Sequence, residues 1–427
     1  MKVKKTYINP WLFVPTLYFA QGIPYFIVNQ ISVILFKDFK IDNASITFWT
    51  SWLYLPWVIK MFWGPLVDAY YTKRKWILYT QFLMAIILGV FAFIINLPNF
   101  FVLSLAILVI LAFTSATHDI AADGFYLLAL KPEEQSFFAG IRSTFYRGSN
   151  FFSNSLLVWL AGALSISYSS VNIGWTATIS LSALIFLLIS LYHFYILPYP
   201  DTDVDRNSKG NKENQNISFG QAFSTYFKQP KIASILVFIL TFRLGEAFLI
   251  KLAAPFFKDP RNIGGLGFTT EDVGIIYGFG VTAIIFGGIL GGLVAAKVGL
   301  KKLLWPMAVI INIPTIIYTI LSFLQPKTIW GAIPFVAIEQ FSYGFGFTAL
   351  TIYLMYVSRG EFKTSHYAIS TGVSALGMML PGLVSGAIQQ YFSSHFPGYG
   401  YQYFFIFTVI CGIPGIISLF FIPKEDI

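Results

Sequence analysis

Twelve apolar runs, each about 20 residues or longer, take up most of this 427-residue chain and leave it few ways to fold. They lie roughly at 10–36, 45–67, 76–97, 99–128, 137–163, 173–197, 231–255, 271–296, 302–324, 329–357, 365–390 and 399–422. Runs of this length cross a bilayer as helices. Charged residues make up 11% of the chain, against about 25% in a soluble domain, so a polytopic membrane protein is the class to expect. The abundant Phe and Tyr suit lipid-facing surfaces and interfacial belts. Lys2, Lys4 and Lys5 precede the first run with no small-residue cleavage site after it, which reads as an uncleaved first span.

One long polar stretch, 198–230, interrupts the pattern and divides the spans six and six. It holds Asp201, Asp203 and Asp205, then a run from Asn207 to Asn216 without apolar residues, and reads as a flexible linker too polar to pack. The expected organisation is an N-terminal six-helix half over 1–197, a cytoplasmic linker over 198–230 and a C-terminal six-helix half over 231–427. With the N-terminus inside, 18 of the 28 lysines and arginines fall in inner segments and five in outer loops. That bias sets both termini in the cytoplasm and explains the net charge of +9 without nucleic acid. Five bases stay inside apolar runs (Lys60, Arg142, Arg147, Arg243, Lys251), as do four acids: Asp119, Asp123, Glu246 and Glu339. Near balance points to pairing in the interior.

A weak internal repeat relates the halves. Gly64-Pro-Leu-Val-Asp68 with Lys73-Arg74-Lys75 follows the second span, and Gly291-Gly-Leu-Val-Ala295 with Lys301-Lys302 follows the eighth. Two six-span halves with such a repeat are the major facilitator pattern, an all-α fold of twelve transmembrane helices around a central cavity. Gly64, Asp68, Lys73 and Arg74 then form a conformational latch, while a basic turn set by topology alone is the plainer account.

The polar groups within spans are the candidate sites. Asp119 and Asp123 sit four residues apart, on one helix face about 6 Å from each other, in the cytoplasmic half of the fourth span. An intramembrane acidic pair reads either as a proton site or as a static cluster with Arg142 and Arg147 that closes the inner gate. His118 beside it reads as a packing hydrogen bonder, with a ligand or relay role as the alternative. Tyr146-Arg147 lies about 15 Å deep in the fifth span, so Arg147 pairs with an acid or an anionic substrate. Arg142, nearer the inner surface, reads as a gate or snorkelling residue. In the first span, Gly22 and Pro24 mark a helix break facing a cavity or a packing kink, and Gln21 and Tyr25 are its cavity-facing groups. In the seventh, Arg243 and Glu246 are i,i+3 neighbours near mid-membrane, where they form a mutual salt bridge or line the substrate site. Lys251 reads as a snorkelling or entry residue. Glu339-Gln340 lies mid-span in the tenth, and Glu339 needs a partner or a proton, with Arg243 as the expected partner. The proton-coupling candidates are therefore Asp119, Asp123, Glu246 and Glu339. The substrate-binding candidates are Gln21, Tyr25, Tyr146, Arg147, Arg243 and Gln340.

The chain carries no Walker sequence and no HExxH, and its one cysteine, Cys411, excludes an internal disulfide. No enzyme activity, cofactor or metal site is expected, and a gradient is the expected energy source. Phe19-Ala-Gln-Gly-Ile-Pro24, Lys60-Met-Phe-Trp-Gly-Pro-Leu-Val-Asp68, Ala112 through Asp123, Pro132-Glu-Glu134, Tyr146-Arg147, Phe242 through Phe248 and Glu339-Gln340 together resemble the AmpG-type muropeptide permeases. These belong to a wider group that includes acetyl-CoA transporters of the endoplasmic reticulum. The resemblance implies proton-coupled import of N-acetylglucosaminyl-anhydro-N-acetylmuramyl peptides across a bacterial inner membrane for cell-wall recycling. It departs after Asp123: Phe125-Tyr-Leu-Leu128 stands where those permeases carry Trp-Lys-Thr-Asp, which leaves the exact substrate open. A carrier of CoA esters or another anionic metabolite, and a signal transducer without net transport, are the alternatives. The expected partners are lipid, a proton and one sugar-peptide substrate, and the expected unit is a monomer.

Overall fold

The computed structural model describes residues 8–203, 219–358 and 363–423, and every regular element among them is helical. In chain order these are α1 (Pro10–Asp38), α2 (Asn43–Trp52), α3 (Gly64–Ala69), α4 (Lys73–Ile94), α5 (Phe100–Ala129), α6 (Glu133–Ser167) and α7 (Val171–Ile196). They continue as α8 (Phe219–Phe227), α9 (Ile232–Lys258), α10 (Thr270–Val298), α11 (Lys301–Leu324), α12 (Ile329–Tyr356), α13 (Lys363–His395) and α14 (Gly400–Ser418). Among the described residues ten helices are long and apolar enough to cross a membrane. The other two expected spans are helical in a different way. The second is broken into α2, the short turns Leu55–Ile59 and Lys60–Phe62, and α3. α12 is continuous over 28 residues but diluted by Glu339, Gln340 and its glycines.

The described chain clusters into two compact units, one built from Met1–Ser32 with Ile59–Glu213, the other from Val33–Val58 with Asn214–Ile427. The core of the first gathers Phe13, Leu17, Tyr18, Ile77, Phe125 and Tyr126. That of the second gathers Phe238, Phe242, Met307, Ile311, Leu350 and Tyr353. The C-terminal end of α1 and all of α2 thus group with the C-terminal helices, although they come early in the sequence.

Proline chemistry shapes α1. Pro24 brings no amide hydrogen, yet the α-helix runs through it to Phe26 and relaxes one turn later, into a π-helical turn over Ile27–Ile31. Gly22 serves packing: a Cβ there would run into Ser149 of α6. The expected linker, in its described C-terminal part, is more ordered than its composition implied. Its last part is α8, in which Tyr226 is fully buried and hydrogen-bonds Ser370 at 2.9 Å, while Thr225 meets His366 at 3.0 Å. Residues 204–218 lie outside the described chain.

Candidate functional site

In the first unit, the two acids of α5 are one turn apart and have different partners. Asp119 is buried, and its Oδ2 lies 3.5 Å from Lys60 Nζ. Gln21 of α1 adds a side-chain hydrogen bond to the same carboxyl. Asp123 is nearly half exposed; it accepts from Tyr18 Oη at 3.0 Å and pairs with Arg142 Nη2 at 3.4 Å. The Arg142 guanidinium lies over the Tyr18 and Tyr126 rings, 4.7 and 5.1 Å from their centres. A cavity of about 280 Å³ opens here, lined by Tyr18, Gln21, Asp119, Arg142, Ser143 and Tyr146. Tyr25 packs beside it, its ring 6.4 Å from that of Tyr146. Arg147 is half-buried on α6. Such a cavity offers an acid, a cation backed by aromatic faces and a row of tyrosines, a set that can hold a polar, ring-bearing anion.

His118 is wholly buried in a chain of neutral hydrogen bonds that ties four helices. Thr16 meets His193 Nε2 at 2.9 Å, His193 Nδ1 meets Gln81 Oε1 at 2.9 Å, and Gln81 Nε2 meets His118 Nε2 at 3.0 Å. This agrees with the packing role. In the expected latch, Lys73 Nζ donates to the Val67 carbonyl at 3.0 Å. Arg74 donates to the carbonyls of Phe194 and Leu197 at 2.6 and 3.1 Å, at the C-terminal end of α7 where carbonyls lack helical partners. The carboxylate of Asp203 accepts from the backbone amides of Lys73 and Arg74, at 2.7 and 3.0 Å, and so caps α4. Gly64 opens α3, and the side chain of Asp68 lies outside the described residues.

In the second unit, α9 is interrupted at Phe242–Arg243, and Arg243 (φ −114°, ψ 21°) caps the half-helix that starts at Leu244. Its guanidinium forks onto Glu246, Nε–Oε2 2.9 Å and Nη2–Oε1 3.1 Å, and donates to Tyr343 Oη at 2.7 Å. The rings of Tyr343 and Phe347 flank it at 5.1 and 4.7 Å. Glu246 lies in the first turn of its half-helix, where a negative charge opposes the helix dipole favourably. The expected Arg243–Glu339 pair is therefore not formed. Glu246, one turn along the same helix, takes the guanidinium. Glu339, 3% exposed, has both oxygens bound, among the described residues, by Gln340 Nε2 alone, each at 2.9 Å. Lys251 also departs from expectation. It does not snorkel: it is buried, and its ammonium donates to the carbonyl and hydroxyl of Thr50 at 3.2 and 3.3 Å.

Sequence reasoning missed Lys60 as the cation of Asp119, Tyr18 as the ligand of Asp123, and Tyr343 as the second ligand of Arg243. Lys60 was visible as one of five bases inside apolar runs; nothing local connected it to an acid 59 residues away.

Membrane-spanning helices that enclose buried ionisable groups and a polar cavity make this a multi-pass membrane transporter with a small-molecule substrate. The chain belongs to the Major Facilitator Superfamily, whose profile matches residues 16–384. It is 26% identical to the anhydromuropeptide permease of Escherichia coli (strain K12), an alignment that covers 94% of this chain and 77% of that one. It is 25% identical to a Rickettsia conorii protein named as transporter AmpG 4, over 100% and 99% of the two chains. These relatives bear out the resemblance to AmpG-type permeases read from the motifs. Among solved structures, a D-xylose-proton symporter matches with TM-score 0.73 at 11% identity over 99% of both chains. A bacterial homolog of the human lysosomal transporter Spinster, inward-facing and unoccupied, matches with TM-score 0.71 at 15% identity, over 98% of this chain and 97% of that one. At such identities the likeness is one of fold.

Proposed function

We propose that this protein is a proton-coupled importer of anhydro-muropeptides across the bacterial inner membrane, acting as a monomer with both termini in the cytoplasm. The observation that carries proton coupling is Glu339. Among the described residues a neutral amide alone binds this carboxyl, which is 3% exposed within its span and has no cation beside it. The other buried acids among the described residues have cations: Asp119 has Lys60, Glu246 has Arg243 and Asp259 has Lys37. Glu339 is therefore the proton carrier, and Asp119 keeps its charge against Lys60.

The substrate reading rests on the anhydromuropeptide permease among the relatives and on the cavity of the first unit. Arg142 receives a peptide or lactyl carboxylate, and Tyr146, only partly buried, presents a face to a sugar ring. Orientation follows from the excess of lysine and arginine in alternate loops. The uncharged stretch Phe125–Leu128 favours a second reading, a carrier of CoA esters or another anionic metabolite. Uptake into proteoliposomes decides between them. Labelled anhydro-muropeptide should accumulate when the outside is acid, and CoA esters should not compete. Accumulation of CoA esters alone, or uptake unchanged by the proton gradient, would overturn the proposal.

A further inference from the structure

The dipeptide Lys-Asp ends both α1 and α9, as Lys37-Asp38 and Lys258-Asp259, at corresponding positions of the two six-span halves. In the second unit the two dipeptides pair crosswise. Lys37 Nζ lies 2.6 Å from Asp259 Oδ1, and Lys258 Nζ pairs with Asp38. All four side chains are largely withdrawn from solvent, at 13 and 7% exposure in one pair and 9 and 11% in the other. Neutral groups complete the set. Asp259 Oδ2 accepts from Tyr401 Oη at 2.6 Å and from Asn43 Nδ2 at 3.2 Å, and Thr270 donates to Asp38.

The segment held by this double pair is Val33–Val58, the part of the N-terminal sequence that groups with the second unit. It has irregular backbone at both ends. The π-turn Ile27–Ile31 precedes it, and the 3-10 turn Lys60–Phe62 follows it. Helix irregularities of this kind concentrate at hinges. Between them, α2 lies against α13 through small residues. Gly386 donates its amide to Thr47 Oγ1 at 2.9 Å, and Ser51 is fully buried where a Cβ on Gly382 would stand. The pairs lie on the side of the membrane that the overall lysine and arginine bias makes the outer one.

We propose that Val33–Val58 is the outer gate of the transporter, hinged at Ile27–Ile31 and Lys60–Phe62 and held shut by the reciprocal pairs Lys37–Asp259 and Lys258–Asp38. Desolvated pairs suit a two-state latch. Closed, each charge has its partner; open, water replaces it, so neither state strands a buried ion. Equivalent dipeptides on repeat-related helices make the two pairs break together.

Cysteine accessibility in the purified protein tests this without any assumption about substrate. In a Cys411→Ser background, Ser51→Cys places a thiol under the closed hairpin. Lys37→Glu, which sets a carboxylate against Asp259, should raise its rate of maleimide labelling by roughly tenfold. Lys37→Glu with Asp259→Lys restores the pair in reverse and should return the rate to near the parent value. Lys258→Met, which removes one pair without adding repulsion, should fall between. Singly substituted protein that elutes and melts like the parent and labels at the parent rate would overturn the gate. So would a double variant that stays as reactive as the single one.

Discussion

Asp119 and Asp123 lie one helical turn apart, yet the first is buried against Lys60 while the second is half exposed between Tyr18 and Arg142. The spacing was plain in the sequence; the division of roles was not, because it depends on what α1, α6 and the turn at Lys60 bring to each carboxyl. Lys60→Met should cost about 1–3 kcal/mol in thermal unfolding of the purified protein, since Asp119 loses its cation, and adding Asp119→Asn should recover part of it. Equal losses in the single and double variants would mean that the two do not interact. Arg243 and Glu246 were legible as a pair because three residues on one helix fix their distance. Arg243→Ala should cost about 3–5 kcal/mol by leaving Glu246 uncompensated. Arg243→Lys should rescue little, since an ammonium cannot fork onto the carboxylate while lying over Tyr343 and Phe347. A melting temperature for Arg243→Ala within a degree of the native one would argue against this pairing.

Elements followed the sequence where apolarity alone decides and departed from it where backbone geometry does. The twelve runs became helices because hydrocarbon leaves the backbone no other partner. The break in α9 at Arg243 and the division of the second span had no such signal, and the π-turn of α1 falls a full turn beyond the proline that marks it. α8 was hidden by its polar surroundings, since Ala222, Thr225 and Tyr226 dock it through a few contacts with α13. Tyr226→Phe should loosen α8 by about 0.5–1.5 kcal/mol through the lost bond to Ser370. Faster amide exchange confined to 219–227 is the expected signature, and unchanged exchange there would count against the docking. The contact of α2 with α13 depends on close approach: a Cβ at Gly386 would meet the Asn43 carbonyl and Thr47. Gly386→Val should therefore destabilise by about 1–3 kcal/mol, read as a lowered melting temperature.

At the scale of the molecule, the family was legible from six-and-six spans, the basic turns and the acids of α5, whereas the charges that distinguish coupling from scaffolding were not. In the sequence Asp119 and Asp123 led the candidates for proton coupling, with Glu246 and Glu339 behind them. Three-dimensional pairing separates them, because a cation stands beside Asp119, Asp123 and Glu246 while, among the described residues, an amide alone binds Glu339. The account therefore assigns the coupled proton to Glu339 and gives Arg243–Glu246 a structural part beside it. Glu339→Gln keeps shape and hydrogen bonding while removing the proton, and its transport in proteoliposomes is the most direct test. Exchange of labelled anhydro-muropeptide across equal concentrations should persist near the native rate, while accumulation driven by an imposed proton gradient should vanish. Full gradient-driven accumulation by Glu339→Gln would contradict the account.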